Sequence, residues 1–554
     1  MVHADLLLTN ANVLTLDENG HRAGSVAVKD GRIVGIWEEA NPPKDAASCS
    51  ASTQMIDLKG ATLIPGFIDT HNHLPMYALT KDQVNCSSPL NRTISDIQQS
   101  LLQKIEQTPK GEWVLGYGYD DTLLQEKRHP TREDLDAIAP DHPVCIKHIS
   151  AHLAVANSKA LQMARVSADQ PDPAIGYFGR DQSGRINGVL YEFDAMESVY
   201  SKIPEKSIDE QIALLKEGIE DYLAQGITTN TDAGVGLGGG IKDYDFHLQA
   251  IERDANPLRM QLMVMHDLLR PTGPFANYTA DELDEEIQRR TNGMARLDSA
   301  KLFQDGSIQG LTGALRKPYE CDAELYGALC HDQQKFNEEV YDLHRRGFRI
   351  AIHGNGDRAI GSILDALEYA LSKEPRNDHR HRIEHVQTAT LEDLDRMARL
   401  GVAGSFFINH VYFWGDRHEK VFLGPDRAKR ISPLADAIQR NLLFTLHSDC
   451  PVTPISPLFS VWAAVNRLTS EGKVLGADQR IEVETALRSM TIYGAQLNFD
   501  EAHTGSIEIG KKADFAILEA DPTRVNPIEI KDISVLMTII GGKVVYEKGI
   551  LVSQ

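Results

Sequence analysis

The feature that most constrains this chain is the alternation of short apolar strands with helical segments through its central part. The predicted strands are the run from Leu63 to His73 and then the segments 226–233, 260–266, 299–304, 348–353, 382–385, 401–408 and 442–447. Strands that alternate with helices pair in parallel, and eight such units are the number that closes a (β/α)8 barrel. The sequence therefore predicts an α/β protein with a TIM-like barrel over residues 61–499.

Two further parts are predicted outside the minimal barrel. The segment 75–206 is far longer than the roughly 2–6 residues of a usual strand-to-helix loop, and it contains predicted elements of its own. We interpret it as an inserted subdomain over the barrel mouth. Short predicted strands occupy both chain ends, with Asp30-Gly31 as a hairpin signal between two of them. Residues 1–60 and 500–554 are therefore predicted to form one small β-sandwich domain.

Composition limits the partners that we expect. The 554 residues are 42% hydrophobic and 25% charged, as in ordinary globular proteins, and the formal net charge is -22. Nucleic acids and anionic membranes attract basic surfaces, so this charge disfavours both. The sequence contains no apolar run of about 18 residues and no basic, apolar secretory start. These observations predict a cytoplasmic protein that acts on a small molecule, without a nucleic-acid or membrane partner.

Side chains that can bind a metal ion lie at the ends of several predicted barrel strands. The candidates, in barrel order, are His71, His73, Lys301, His353, His385 and Asp449. The carboxyl ends of barrel strands converge on one cavity, and histidines and carboxylates are common ligands of divalent metals. A single histidine at a strand end is more often a hydrogen-bonding group than a ligand, but the joint occurrence in barrel order favours a metal centre. Strand alternation predicts that the adjacent Glu384 and His447 point away from it.

These motifs resemble the amidohydrolase superfamily, and specifically its YtcJ-like branch, which includes N-substituted formamide deformylases. The resemblance rests on residues 65–73, 301–307, 353–357, 382–385 and 448–452, and on residues 116–120, 157–161 and 188–192 of the insert. It covers nearly the whole chain and is specific for the branch, but not for a substrate. It also implies a homodimer.

The resemblance implies two divalent ions. His71, His73 and Asp449 would hold the first ion, and His353 and His385 the second. A carboxylated Lys301 would bridge the two ions, and without this modification the centre would hold one. The alternative for Lys301 is an ordinary salt bridge, for instance with Asp305. Zinc is the expected metal, with iron or manganese as alternatives.

The predicted function is hydrolysis of a C–N bond, other than a peptide bond, in a small amide. A divalent cation lowers the pKa of water and polarises a carbonyl group. Asp449 is the predicted proton carrier between the water and the leaving nitrogen, and His385 or His353 would support the developing oxyanion. An N-substituted formamide is the favoured substrate class. The alternatives are hydrolysis of a cyclic amide, a lactone or an ester, and, outside enzymes, a noncatalytic oligomeric scaffold.

Candidate substrate contacts lie mostly in the insert. They are Trp113, Tyr119, Asp120, His152, Glu192 and, in the barrel, Phe407. Aromatic side chains can line an apolar pocket around a few polar groups. Each of these residues could instead be structural.

Overall fold

The computed structural model describes residues 2–43, 46–173 and 176–549. The strands, in chain order, are β1 Val2–Thr9, β2 Asn12–Leu14, β3 Arg22–Ala23, β4 Ser25–Lys29, β5 Arg32–Trp37, β6 Ala47–Asp57, β7 Thr62–Pro65, β8 Phe67–Asn72, β9 Val84–Asn85, β10 Val114–Tyr119, β11 Val144–His148, β12 Leu153–Ala156, β13 Tyr177–Arg180, β14 Ile186–Tyr191, β15 Ile227–Val235, β16 Arg259–Met265, β17 Ala295–Phe303, β18 Ile350–Gly354, β19 Arg382–His385, β20 Ala403–Phe406, β21 Phe444–Leu446, β22 Phe515–Leu518, β23 Val535–Ile540 and β24 Lys543–Glu547.

The α-helices, in chain order, are α1 Leu74–Thr80, α2 Ile94–Ile105, α3 Arg132–Asp136, α4 Ser158–Met163, α5 Glu192–Tyr200, α6 Ile208–Ala224, α7 Ile241–Glu252, α8 His266–Leu269, α9 Ala280–Thr291, α10 Gln333–Arg345, α11 Asp357–Lys373, α12 Leu391–Leu400, α13 His410–Arg417, α14 Gly424–Ala428, α15 Leu434–Gln439, α16 Pro457–Asn466, α17 Val483–Ser489 and α18 Ile492–Leu497. Within the described ranges, no helix has both the length and the apolarity that a membrane crossing requires.

The central sheet is the predicted parallel barrel. In the described part of the chain it has eight strands in the order β21-β20-β19-β18-β17-β16-β15-β8, and each neighbouring pair is parallel. Beyond its last strand, Asp449 N donates to the His71 carbonyl at 3.1 Å, and His73 N donates to the Cys450 carbonyl at 2.8 Å. These bonds join the two ends of the sheet at its carboxyl edge. The TIM-like (β/α)8 fold is therefore confirmed.

The predicted first strand is two strands in the structure. β7 pairs with β2 and β22, whereas β8 pairs with β15 in the barrel. Gly66 separates them, and a Cβ atom at this position would lie 2.2 Å from the Thr228 side chain. The chain thus changes sheets where only glycine fits. The apolar run gives no sign of this break because both sheets bury it fully.

The two chain ends share one β-sandwich, as the sequence predicts. One sheet has the order β24-β23-β22-β7-β2-β3 and so combines strands from both ends; the other has the order β5-β4-β1-β6. Alternating side chains of the two sheets share one buried core, which includes Leu6, Leu8, Val26, Val28, Leu63, Phe515, Ile517 and Ile539. The β4–β5 hairpin turns at Asp30 and Gly31, which have φ values of 49° and 72°. This is the left-handed backbone that the Asp-Gly pair predicts.

The inserted subdomain forms a compact unit of its own, Pro75–Gly218, and the remainder of the chain forms the other unit. Its sheet has the order β13-β14-β12-β11-β10-β9 in the described residues. Helices α2 and α4 are each capped by the side chain of the preceding residue, Thr93 and Asn157. The unit extends past residue 206 to include the first part of α6.

Candidate metal centre

Four predicted imidazoles and one carboxylate meet at the carboxyl edge of the barrel. The Nε2 atoms of His71 and His73 each lie 3.5 Å from Asp449 Oδ1, and His385 Nδ1 lies 3.9 Å from Asp449 Oδ2. The ring centroids of His71 and His385 are 4.8 Å apart, and those of His353 and His385 are 4.4 Å apart. Side chains separated by hundreds of residues therefore share one small volume.

The local backbone aims these side chains inward. The pairing of β8 with β15 shifts register between Asp69 and Asn72, so a bulge lies next to His71. His385 and Asp449 have φ values of 72° and 53°, in the left-handed region that residues other than glycine rarely adopt. Bulges and residues with such strained backbone concentrate at functional sites. There they can turn a side chain to the face opposite to the one that regular strand alternation would give it.

Glu384 contacts the site, contrary to the sequence prediction. Its Oε2 lies 2.5 Å from His71 Nδ1, and its Oε1 accepts a hydrogen bond from Arg382 Nε at 2.5 Å. Arg382 Nη2 in turn donates to Asp298 Oδ2 at 2.9 Å. The prediction was wrong because the positive φ of His385 turns that residue inward beside Glu384, rather than opposite to it. Glu384 thereby fixes the His71 ring and leaves its Nε2 directed at Asp449.

The prediction that His447 points away is also wrong. Its ring centroid lies 4.6 Å from that of His71 and 5.1 Å from that of His385. Thr445 bonds Thr70 inside the barrel at 2.8 Å, and His447, two residues later, continues on the same face. Burial lowers the pKa of His447 to about 3. The prediction miscounted the alternation: His447 lies two residues from Asp449 as well as from Thr445, so regular alternation places it on the same face as both.

Sequence reasoning did not single out Asp232, which lies beside His73. Its Oδ1 is 3.8 Å from His73 Nδ1, and its Oδ2 accepts a hydrogen bond from His247 Nε2 at 2.7 Å. Burial opposes a charge on His73, but its interactions with Asp232 and Asp449 outweigh burial and raise its pKa to about 9. The same imidazoles hold the pKa of Asp232 well below its usual value despite burial. A cation that binds His73 must therefore displace a proton.

Lys301 is fully buried on β17, and among the described residues its Nζ has no hydrogen-bond partner. The Nζ atom lies 5.0 Å from the centroid of the Phe303 ring. The salt bridge with Asp305 that the sequence allowed is therefore not formed; the Asp305 carboxylate accepts backbone N–H groups of Asn355 and Gly356 instead. Burial lowers the pKa of Lys301 to about 8. A neutral amine, the form that can be carboxylated, is thus accessible near neutral pH.

The donor set fits a divalent cation. Ligand atoms of His71, His73 and Asp449 all lie within 4.8 Å of one another, and imidazoles with a carboxylate suit zinc, iron or manganese. His353 Nδ1 lies 2.9 Å from His385 Nε2, which leaves His385 Nδ1 to face the cluster. The Phe407 ring, a predicted substrate contact, is centred 6.0 Å from that of His385 and forms part of the wall.

The remaining predicted substrate contacts lie in the unit Pro75–Gly218. His152 Nδ1 is 2.9 Å from Glu192 Oε2, and both side chains are half-buried. Asp120 is buried, Tyr119 lies fully inside the hydrophobic core of the unit, and Trp113 packs partly buried against a second core cluster. Their roles in substrate binding stay predictions.

A parallel barrel that gathers histidines and an aspartate at the carboxyl ends of its strands has the architecture of a metal-dependent hydrolase. The model of the amidohydrolase family matches residues 54–546, and the chain belongs to this family.

Similar proteins span the whole chain. It is 30% identical to an N-substituted formamide deformylase of Arthrobacter pascens, with 98% of each protein covered. It is 28% identical to YtcJ of Bacillus subtilis (strain 168), over 97% of this chain and 98% of that protein. Among solved structures, an uncharacterized metal-dependent hydrolase from Pyrococcus horikoshii OT3 has the same fold, with a TM-score of 0.73 and 23% identity over 94% of this chain and 99% of that one.

Proposed function

We propose that this hydrolase cleaves the C–N bond of a small amide, with an N-substituted formamide as the favoured substrate, and that it depends on zinc, iron or manganese. The observation that carries the proposal is the convergence of His71 Nε2 and His73 Nε2 on Asp449 Oδ1. The similarity to a formamide deformylase over the full length supports the substrate class.

A divalent cation, when bound, supplies the Lewis acidity that makes water nucleophilic at neutral pH and polarises the carbonyl group. Asp449 has one oxygen near His71 and His73 and the other near His385, so it can accept the proton of the attacking water. The same carboxyl group then returns this proton to the leaving nitrogen, which departs as a neutral amine. Glu384 holds His71 in one tautomer, with its Nδ1 proton directed at the carboxylate.

A substrate panel tests the proposal. The metal-loaded protein is incubated with aryl and alkyl formamides, longer acyl amides, a cyclic amide, a lactone and an ester, and formate and amine release are measured. We expect release from the formamides, loss of this activity after chelation, and recovery on addition of metal. Hydrolysis of the lactone or ester alone would contradict the C–N assignment. A metal-free, fully folded and inert preparation that binds no added metal would support the scaffold alternative instead.

A further inference from the structure

We propose that His447 is an additional protein ligand of the cation, an inference that rests on the metal dependence proposed above. His447 forms a histidine triad with His71 and His385, and one ligand nitrogen from each ring lies within 4.8 Å of the other two. The three rings come from β8, from the end of β19 and from the residue after β21, so the barrel itself brings them together.

The first argument is hydrogen bonding. The His447 side chain is fully buried, and both of its ring nitrogens lack a hydrogen-bond partner among the described residues. A neutral imidazole carries one donor and one acceptor, and burying both unpaired is unfavourable. His344 shows what this chain does elsewhere. It is equally buried, but its Nδ1 lies 2.9 Å from His381 Nε2, and its Nε2 donates to the Glu374 carbonyl at 2.8 Å.

The second argument is that the other two members of the triad each retain one nitrogen for a ligand. Glu384 occupies His71 Nδ1, which leaves Nε2. His353 occupies His385 Nε2, which leaves Nδ1, an atom without a hydrogen-bond partner in the described residues. Each ring is thus held by one neighbour while its other nitrogen is left for the shared space. This is the usual arrangement of metal-binding histidines, whose second nitrogen bonds an orienting group.

The third argument concerns the neighbours of His447. The Phe407 ring packs against it edge to face, with centroids 5.3 Å apart, and a phenyl ring offers neither ligand nitrogen a conventional partner. Two residues further on, Asp449 presents its carboxylate to the same group of histidines. One short segment therefore delivers two ligand-type side chains to one place.

Metal titration tests the proposal. Chelator-treated full-length wild-type protein, His447→Gln and His344→Gln are titrated with zinc against a competing fluorescent chelator. Loss of an outer-shell partner costs about 10–100-fold in metal affinity, so loss of a ligand should raise the zinc dissociation constant by at least about 100-fold. His344→Gln removes an equally buried imidazole far along the chain from the triad members, and we expect its dissociation constant to stay at the wild-type value. An unchanged dissociation constant in a folded His447→Gln protein would overturn the proposal.

A wild-type measurement keeps the proposal testable if His447→Gln does not fold. Crystals of the zinc-loaded protein are measured at the zinc absorption edge, and we expect the anomalous peak at about 2.0–2.1 Å from a His447 nitrogen. A peak bonded to His71, His73 and Asp449, with His447 paired instead to water or to a carboxyl group on Lys301, would overturn the ligand role and leave the proposed function intact. Failure of the wild-type protein to bind zinc, iron or manganese would overturn both.

Discussion

Replacement of Glu384 by Gln should destabilise the barrel and weaken metal binding together. Glu384 lies in a buried ion network with Arg382, Asp298 and Arg349, all 7% exposed or less. The two carboxylates balance the two guanidinium groups. Glu384→Gln keeps the shape of the side chain but leaves one buried positive charge uncompensated. Removing one partner from a buried ion pair typically costs about 3–5 kcal/mol, a large share of a usual free energy of unfolding of about 5–15 kcal/mol.

The same substitution acts on the metal site. A glutamine has one acceptor oxygen, which can still accept the hydrogen bond from Arg382. Its NH2 group cannot accept the hydrogen bond from His71 Nδ1 that the second carboxylate oxygen accepts. We therefore expect zinc affinity to fall about 10–100-fold, as for other losses of an orienting carboxylate.

Urea unfolding of the metal-free proteins and zinc competition titrations measure the two effects of Glu384→Gln. The matched control is Glu368→Gln, because Glu368 pairs with Arg396 and Arg399 on the surface, with its side chain 39% exposed. Such exposed pairs contribute about 0–1 kcal/mol, so the control should resemble the wild type in both assays. A Glu384→Gln protein as stable as Glu368→Gln, with wild-type zinc affinity, would refute the role assigned to this network.

Three further predictions concern the metal site and one predicted substrate contact. Asp449→Asn should lower kcat by about 100-fold or more, because general acid–base catalysis contributes about 10²–10⁴, and single-turnover assays on metal-saturated protein check this. His73 has a pKa of about 9 and must lose its proton to bind a cation. The zinc dissociation constant should therefore fall about tenfold for each pH unit up to about pH 9 and then level off. A dissociation constant that does not change with pH in competition titrations would contradict this. His152→Ala, which removes the partner of Glu192, should raise KM without changing metal content, and a lower metal content with unchanged KM would argue for a structural role instead.

Much of the architecture follows from patterns that are local in sequence. β19 spans residues 382–385, as predicted, and β4 and β5 pair across the predicted Asp30-Gly31 turn. The break at Gly66 was not predicted, because the reason for it, the Thr228 side chain, comes from a strand more than 150 residues away.

The sequence by itself determined the barrel, the terminal β-sandwich and the residues His71, His73, His353, His385 and Asp449, because residue type and position at strand ends follow from local patterns. Only the tertiary structure decided which way the neighbouring side chains face. The positive φ of His385 turns its imidazole inward beside Glu384, whose carboxylate contacts His71. The bond between Thr445 and Thr70 shows that this face of the strand, which His447 continues, lies inside the barrel. The physical reason is that alternation is a property of one regular strand, whereas the environment of a buried charge or imidazole depends on the strands beside it and on the bends at their ends.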